Sequence, residues 1–415
     1  MTLRGFFQPI PRGASTGKWL LGIVATMVIF GTMMMASATE GEAAVGGSPF
    51  SLIKMDIIWL GVGLFGMVIM MVMKLDRLLS MAKWIGLALL GLLLSVEVFG
   101  TRVDGAKRWI RLQSLVLQPS EFFKLGVVIL VAAIVQQRHR VLGNGQRLIV
   151  ALWPVLAGLG IIAVLQNDLG TSSIVALIAL CMMVEAGITL FQFVLTALTG
   201  ATMFAVYASI KTYAYDRFTS FLHPSQDVAG LGYQLHQSLV GIGAGGITGL
   251  GYGQSREKWG LLPNPHTDFI FSIVGEELGL LGTIAVIALF LGFLWVATDI
   301  IRRCENDAYR LMAVGITTWI MGEAIINMAS TVGLWAITGV PLPFFSYGGS
   351  ALVMELCAVG LLYNIACQRA RSPRLLLGHD AESYFVFSGK VRHSGRPQTT
   401  TRSMPQNRQM RSRSS

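Results

Sequence analysis

The chain has 415 residues, of which 53% are hydrophobic and only 13% are charged, and its formal net charge is +10. Soluble domains usually carry about 25% charged residues, so this composition excludes a soluble globular protein and indicates a polytopic membrane protein. Ten Lys and Arg residues lie after residue 368, against only Asp380 and Glu382. The rest of the chain is nearly neutral, so we predict no nucleic-acid partner for the fold.

Apolar runs predict an all-α fold. A membrane-spanning helix needs about 20 apolar residues, and ten runs of roughly this length alternate with polar connections. We therefore predict about ten transmembrane helices, with a large extracytoplasmic loop between helices 7 and 8. The runs lie near residues 19–37, 55–73, 82–100, 121–136, 148–165, 170–187, 190–210, 268–299, 308–334 and 348–368.

The distribution of Lys and Arg in short connections predicts the orientation of these helices. One set of connections is rich in these residues, so we assign it and both termini to the cytoplasm of a multi-pass plasma-membrane protein. The chain then divides into a cytoplasmic segment 1–18, a membrane domain 19–369 with an extracytoplasmic loop 211–267, and a basic cytoplasmic tail 370–415. The tail is rich in Ser, Thr, Pro and Arg, which predicts disorder.

Two connections on the opposite face carry cations against this rule. Lys107 and Arg108 lie in the first connection, and Arg256 and Lys258 lie in the 211–267 loop. These residues are either tolerated exceptions or the cations that hold an anionic ligand. The second interpretation places the chemistry on the extracytoplasmic side.

Two further polar sites face the same side. The first follows Pro119, which fits a helix start, and there Glu121 and Lys124 share one helix face because they are three residues apart. This pair either stabilises the helix or lines a wet cavity. The second is Asp168, in a tight corner before Gly170, where it either caps the next helix or belongs to the same site.

The long loop contains a glycine-rich run. Residues 241–246 match Gly-x-Gly-x-x-Gly, but no strand–helix–strand context supports a dinucleotide site. Glycines this dense form either an anion-binding concavity or a flexible hinge. Gln234 precedes the run, in a stretch whose apolar spacing predicts a helix along the membrane interface.

The loop ends at His266-Thr267-Asp268, where a carboxylate meets a hydrophobic helix. Ionisable groups at membrane depth are functional candidates. Asp268 is either a helix cap or a general base, a role that needs a carboxylate within hydrogen-bond reach of a hydroxyl. His266 orients this acid, binds substrate or is simply polar surface.

A segment rich in Pro and Gly, residues 339–350, precedes the last span and includes Ser346. It cannot form a continuous helix, and irregular backbone at membrane depth either lines a cavity or packs inside protein. The four cysteines of the chain form no Cys-x-x-Cys pair, so we predict neither a cysteine-ligated metal site nor a disulfide.

Together these motifs resemble the SEDS family of bacterial polytopic membrane proteins, typified by FtsW and RodA. The resemblance covers about residues 19–369, and its landmarks occur in the family's order. They are Gly105–Ile110, Gln118–Glu121 with Lys124, Gln166–Thr171, Gly232–Ser255, Leu262–Glu277 and Pro341–Ser350. Asn167 replaces the family's usual proline, so we expect a less rigid corner there. The run Gly251–Lys258 continues to Leu262-Pro263 without the insertion that we expect in RodA. In this respect the chain is closer to FtsW, the division member.

The resemblance implies a peptidoglycan glycosyltransferase that polymerises lipid II at the outer leaflet during cell division. It also implies a class B penicillin-binding protein, the transpeptidase that cross-links the glycan, and other divisome membrane proteins as partners. The family's essential aspartate falls on Asp268, which we expect to deprotonate the sugar 4-hydroxyl while undecaprenyl pyrophosphate leaves with inversion. A divalent cation, Mg or Mn, would be able to assist, although no metal-ligand spacing is visible. The expected substrate-binding residues are Lys107, Arg108, Glu121, Lys124, Asp168, Gln234, Arg256, Lys258, His266 and Ser346.

Three alternatives stay open. A lipid II flippase would use the intramembrane acids Glu97, Glu323 and Glu355 as a proton path, and it would need essential acids on both faces. A RodA-type polymerase would act in elongation instead of division. A non-catalytic scaffold would only recruit the transpeptidase, and it would tolerate the loss of Asp268.

Overall fold

The computed structural model describes residues 15–41, 50–103, 106–112, 115–137, 151–210 and 230–368. Several predicted regions fall partly or wholly outside these residues: most of the 1–18 segment, Gly105, the start of the 148–165 span, the first part of the 211–267 loop, and the 370–415 tail. Their predictions therefore stay predictions.

The described chain is a bundle of helices with one small sheet. Its elements, in chain order, are α1 (Ser15–Ala38), α2 (Phe50–Val72), α3 (Leu75–Ser80), α4 (Ala82–Phe99), β1 (Thr101–Val103), β2 (Ala106–Leu112), β3 (Leu115–Leu117), α5 (Pro119–Gln137), α6 (Trp153–Gly160, continued by a π-helical turn at Ile161–Leu165), α7 (Leu169–Glu185), α8 (Leu190–Ile210), α9 (Leu231–Gly245), a 3-10 turn (Glu257–Trp259), α10 (Ile270–Arg303), α11 (Asp307–Thr331) and α12 (Gly349–Ala366).

The predicted polytopic helical fold is confirmed. Seven helices in the described residues, α1, α2, α4, α5, α10, α11 and α12, are long and apolar enough to cross a membrane. Shorter apolar helices lie at Trp153–Leu165, Leu169–Glu185 and Leu190–Gly200, where the other three spans were predicted. Apolar run length locates a span well because the hydrocarbon core sets the length that a helix needs.

The connection between α4 and α5 contains structure that the sequence pattern did not predict. Strands β1, β2 and β3 form a three-stranded antiparallel sheet in the order β1-β2-β3. Thr101 pairs with Trp109, and Ile110 pairs with Leu117. Strands β1 and β3 have three residues each, and β2 does not alternate strictly between apolar and polar residues, so the pattern does not indicate a sheet. The sheet leads directly into α5 and so fixes where Arg108 lies relative to Glu121.

Helices α5 and α12 form the centre of the bundle. In each of them, 83% of the residues in the 18-residue apolar segment are buried. In α2 the share is 22%, so most of its surface is available to contact lipid. The largest fully buried side chains include Trp319, Phe123 and Phe345. Polar groups on α5, α11 and α12 are therefore enclosed by protein.

Helix α10 is broken near its start, and the glycine-rich run packs against the break. Gly279 has φ 66° and ψ −159°, a conformation that is essentially restricted to glycine. A Cβ at Gly279 would lie 2.4 Å from the backbone nitrogen of Gly249. The break exposes two carbonyls of α10, and the amides of Leu250 and Gly251 donate to them, at 3.0 Å to Glu276 and 2.9 Å to Glu277. These amides are engaged inside the protein and are not available to an anion.

Candidate active site

Asp268 lies in the turn that leads into α10. The helix begins at Ile270 and its N-cap is Phe269. Asp268 therefore lies one residue before the N-cap and is not the helix cap that was one of its two predicted roles. The Asp268 side chain is partly exposed. Its backbone carbonyl accepts a hydrogen bond from the Asn327 side-chain amide at 2.8 Å, and the same amide donates to the Val340 carbonyl at 2.8 Å. Asn327 on α11 therefore ties this turn to the chain that follows α11.

The connection between α11 and α12, residues 332–348, holds the two preceding residues in the same way. The backbone amide of Tyr347 donates to the His266 carbonyl at 2.8 Å. The Ser346 hydroxyl donates to the Thr267 carbonyl at 2.5 Å, and accepts from the Leu342 amide at 2.8 Å. Three consecutive carbonyls, at residues 266–268, are thus each bound by a separate donor, which fixes the backbone that carries the carboxylate.

Aromatic packing supports the same turn. The rings of His266 and Tyr347 are 5.7 Å apart between centroids and tilted by 57°, a spacing typical of favourable aromatic pairs. Burial, with a smaller contribution from the nearby Asp56 carboxylate, raises the pKa of the Tyr347 hydroxyl above its usual value. His266 is buried, so it is not merely polar surface.

A second polar cluster, consisting of Glu121, Lys124 and Glu323, lies inside the bundle. The Lys124 ammonium is 2.6 Å from the nearer Glu121 carboxylate oxygen and also contacts Glu323. The side chains are at most 3% exposed, and the ammonium lies 5.1 Å from the centroid of the Trp319 ring. Glu121 and Lys124 do share a face, but protein surrounds them in this structure.

This buried cluster is one helical turn away from the contact with Asp268. Glu323 and Asn327 are four residues apart on α11, so they are neighbours on one face. A further buried acid, Glu355 on α12, accepts a hydrogen bond from the Phe344 amide at 2.9 Å. The 332–348 connection is therefore held by an amide from α11 and an acid from α12.

A third cluster surrounds Asp168 at the start of α7. Its carboxylate accepts from the Thr171 amide at 3.1 Å and from the Thr171 hydroxyl at 2.9 Å, so it caps the helix. The same carboxylate lies 3.4 Å from the Gln118 amide nitrogen and 3.9 Å from the Arg108 guanidinium. Arg108 also donates to the carbonyls of Gln166 and Asn167, at 3.3 and 2.5 Å. Asp168 therefore caps α7 and lies beside a cation, and its part in substrate binding stays a prediction.

The corner before Asp168 adopts a conformation that proline cannot. Asn167 has φ 49°, whereas a proline ring fixes φ near −65°. We expect Asn167→Pro to lower the free energy of unfolding by about 1–3 kcal/mol, and Asn167→Gly to be tolerated because glycine accepts positive φ. Thermal unfolding of the purified variants measures both effects. Equal stability of the proline and glycine variants would contradict the left-handed corner.

The 332–348 connection also reaches the Asp168 corner. Ser350 lies just after this connection, and its hydroxyl accepts a hydrogen bond from the backbone amide of Gln118 at 3.2 Å. A Cβ on Gly170 would lie 2.7 Å from the Thr338 carbonyl oxygen, so the start of α7 packs directly against the connection. The Asp268 turn and the Asp168 corner thus both pack against one connection, and the Lys124 cluster lies one helical turn from Asn327, which binds this connection.

Lys258 is placed differently from the free outer cation that we expected. Its side chain is fully buried, 2.6 Å from Glu40 and 3.5 Å from Glu277. The Ser37 hydroxyl on α1 donates to Glu277 on α10 at 2.6 Å. These residues therefore hold the loop that carries Lys258 against both helices. Burial makes a structural role the better interpretation, because the charge is already paired inside the protein. Substrate binding by Lys258 is not supported by this placement.

The remaining predicted residues lie nearer the surface. Arg256 is exposed, and its amide donates to Glu276 at 2.8 Å. The Lys107 ammonium donates to the Glu97 carbonyl at 2.7 Å and lies 3.9 Å from the Glu97 carboxylate. Gln234 is half-buried on α9, where the predicted helix is present. Burial and the nearby Glu276 raise the pKa of Glu257 to about 6.

Comparison with known proteins identifies the family. Residues 18–371 match the family model for cell cycle proteins of the FtsW, RodA and SpoVE type. The chain belongs to the FtsW/RodA/SpoVE family. A probable peptidoglycan glycosyltransferase FtsW from Trichlorobacter lovleyi is 39% identical over 282 residues, 67% of this chain and 72% of the relative. A second probable peptidoglycan glycosyltransferase FtsW, from Synechocystis, is 32% identical over 378 residues, which cover 90% of this chain and 95% of the relative.

A solved structure supports the same assignment. The chain resembles a component of a peptidoglycan synthase complex that coordinates polymerization and crosslinking, with a TM-score of 0.71 and 27% sequence identity. The match covers 85% of this chain and 98% of that component. This FtsW/RodA/SpoVE member therefore has the same multi-pass membrane fold as that component over nearly the whole length of the solved chain.

The described residues offer no ready-made metal centre. Among them, no group of three or more His, Cys, Asp or Glu side chains is arranged to hold a metal ion. The Mg or Mn prediction stays a prediction. Magnesium commonly binds through one or two carboxylates together with substrate phosphates, so such an ion would have to arrive with the pyrophosphate and use an acid such as Asp168 or Asp268.

One residue that is central to the site, Asn327, was not among the predicted residues. Asn327 lies inside a hydrophobic run and contacts both the Asp268 turn and the 332–348 connection. An Asn within an apolar run was itself an indication, because a buried amide needs hydrogen-bond partners and finds few of them within its own transmembrane helix. The partners themselves are 59 and 13 residues away, so the helical pattern could not identify them.

Proposed function

We propose that this chain is a peptidoglycan glycosyltransferase that polymerises lipid II during cell division, with Asp268 as its general base. The observation that carries this assignment is the turn at residues 266–268, whose three carbonyls are each held by a donor from α11 or the 332–348 connection. Such positioning suits a base, which must lie within hydrogen-bond reach of the proton it removes. Relatives described as peptidoglycan glycosyltransferases support the reaction class.

The proposed chemistry is an inverting substitution. The Asp268 carboxylate takes the proton of the sugar 4-hydroxyl on the incoming lipid II, and that oxygen forms a bond to the anomeric carbon of the growing glycan. The bond from this carbon to pyrophosphate breaks, and undecaprenyl pyrophosphate leaves with the electron pair. The leaving group gains negative charge, so nearby cations stabilise the transition state. Arg108, Lys107 and exposed Arg256 are our candidates for this role.

The proposed active site faces the extracytoplasmic side. The turn before α10, the sheet that precedes α5, the corner before α7 and the 332–348 connection all lie at one end of the bundle. The connections at the other end include the Lys- and Arg-rich ones, which favours the cytoplasm for that end. On this orientation, Asp268 meets substrate in the outer leaflet.

Cysteine labelling of intact cells tests the orientation. We expect Leu261→Cys, at an exposed site in the 211–267 loop, to react with a membrane-impermeant maleimide added outside. Glu305→Cys, exposed at the other end of the bundle, should react only after permeabilisation. Both are made with the partly buried native Cys304 replaced by Ser. The reverse labelling pattern would overturn the proposed topology.

A partner that cross-links the product fits the proposed function. The similar component of known structure belongs to a complex that performs both polymerization and crosslinking. By analogy, we propose a class B penicillin-binding protein as the partner, with other divisome membrane proteins around it. The direct test is glycan formation from labelled lipid II by the purified chain with such a partner, whose transpeptidase site has been inactivated. Lipid transfer across vesicles without any polymer would favour the flippase instead.

A further inference from the structure

A cavity lies at the end of the bundle opposite to Asp268. Its volume is about 350 Å³, and it is lined by Lys74, Leu75, Asp76, Arg77, Tyr309 and Gln368. These residues come from the α2–α3 corner, the first turn of α11 and the end of α12. Helix α11 has 25 residues and rises about 1.5 Å per residue, so this cavity is separated from the 332–348 connection by most of a membrane thickness.

The walls of the cavity are held together by specific contacts. The Asn364 amide on α12 donates to the carbonyls of Met70 and Met73 at the end of α2, at 2.8 and 2.7 Å. The Tyr309 hydroxyl donates to the Asp76 carboxylate at 2.6 Å. The cavity is therefore a formed feature between three elements, independent of the site around Asp268.

The charges of the cavity favour an anion. Two bases, Lys74 and Arg77, and one acid, Asp76, line the cavity, so its side chains carry one net positive charge. Among the residues that the structure describes, no carboxylate lies within ion-pair distance of the Lys74 ammonium. Leu75 is 2% exposed and provides an apolar floor. Two cations above an apolar floor suit a phosphate that carries hydrocarbon chains.

The surrounding surface places the cavity at headgroup depth. Trp84, 62% exposed at the start of α4, lies just after α3, with the Lys83 ammonium 5.0 Å from its ring centroid. Trp19, 66% exposed near the start of α1, lies at the same end of the bundle. Exposed Trp residues beside Lys are typical of the membrane–water interface.

We propose that this cavity binds the headgroup of an anionic phospholipid from the leaflet opposite to the active site. Lys74 and Arg77 would bind the phosphate through charge-assisted hydrogen bonds, and the acyl chains would pass along the apolar surface below. A lipid is favoured over free phosphate because the exposed Trp19 and Trp84 lie at the same end of the bundle as the cavity.

Native mass spectrometry of the full-length protein in detergent tests this site. Dioleoyl phosphatidylglycerol, dioleoyl phosphatidylcholine and inorganic phosphate are added separately and then in competition. We expect one phosphatidylglycerol to be retained in preference to phosphatidylcholine, and not to be displaced by phosphate. The double variant Lys74→Gln/Arg77→Gln should bind phosphatidylglycerol about tenfold more weakly, because it removes both charge-assisted hydrogen bonds to the phosphate.

Two further variants separate a specific site from surface charge or misfolding. Lys83→Gln/Arg302→Gln removes the same charge from exposed positions at this end of the bundle and should leave retention unchanged. Asp76→Asn keeps an acceptor for Tyr309, removes the negative charge and should strengthen retention, which a misfolded protein would not do. Equal loss in both double variants, no gain with Asp76→Asn, or displacement by inorganic phosphate would overturn the lipid site.

Discussion

Replacing Asp268 by Asn is expected to lower glycan polymerisation by about 10²- to 10⁴-fold, the usual contribution of a general base. An amide has nearly the shape of a carboxylate but cannot accept the sugar proton. The fold should tolerate this change because Asn327 binds the backbone carbonyl of residue 268, which the substitution leaves in place. The measurement is the rate of polymer formation from labelled lipid II in the presence of the inactivated transpeptidase.

Two controls define what a loss of activity would mean. Glu305→Gln removes an exposed acid at the other end of the bundle and should keep wild-type activity and expression. Thermal unfolding of Asp268→Asn should match the wild type, which excludes a folding defect. Full polymerase activity in a correctly folded Asp268→Asn protein would move the base to another residue, and it would leave the reaction class intact.

The outline of the fold was predictable from the sequence because the physics of each span is local. A run of apolar residues long enough to cross a membrane identifies its own position, and all ten predicted runs overlap an apolar helix in the structure. Local spacing also placed Glu121 beside Lys124 and Asp168 at a helix start, since both relations depend on residues three apart. These contacts follow from helix geometry alone.

The parts that could not be predicted depend on contacts between distant segments. Lys124 meets Glu323, which is 199 residues away. Lys258 is buried because Glu40, just after α1, and Glu277, on α10, approach it from distant segments. Gly279 breaks α10 at a point where the sequence continues to look helical, and the break is stabilised only by the glycine-rich run. Periodicity reports which face of a helix is apolar, but it does not report which partner covers a polar group on that face.

Replacing Lys124 by Met is expected to destabilise the protein by about 3–5 kcal/mol, the cost of breaking a buried ion pair. The substitution leaves Glu121 and Glu323 inside the bundle without the cation that contacts both of them. Thermal unfolding of the purified protein measures the loss. Lys83→Met removes an exposed cation and should change stability by no more than about 0.5 kcal/mol. An unchanged unfolding temperature for Lys124→Met would mean that water or another cation compensates these acids.

The triple variant Glu121→Gln/Lys124→Met/Glu323→Gln separates charge pairing from catalysis. It removes both acids together with the cation, so most of the lost stability should return, since a neutral replacement of a buried ion pair is often tolerated. Glu323 lies one helical turn from Asn327, which holds the Asp268 turn. If the cluster only keeps this part of α11 in place, polymerase activity should return with stability. A stable triple variant that forms no polymer would show instead that the reaction needs the charge of the cluster itself.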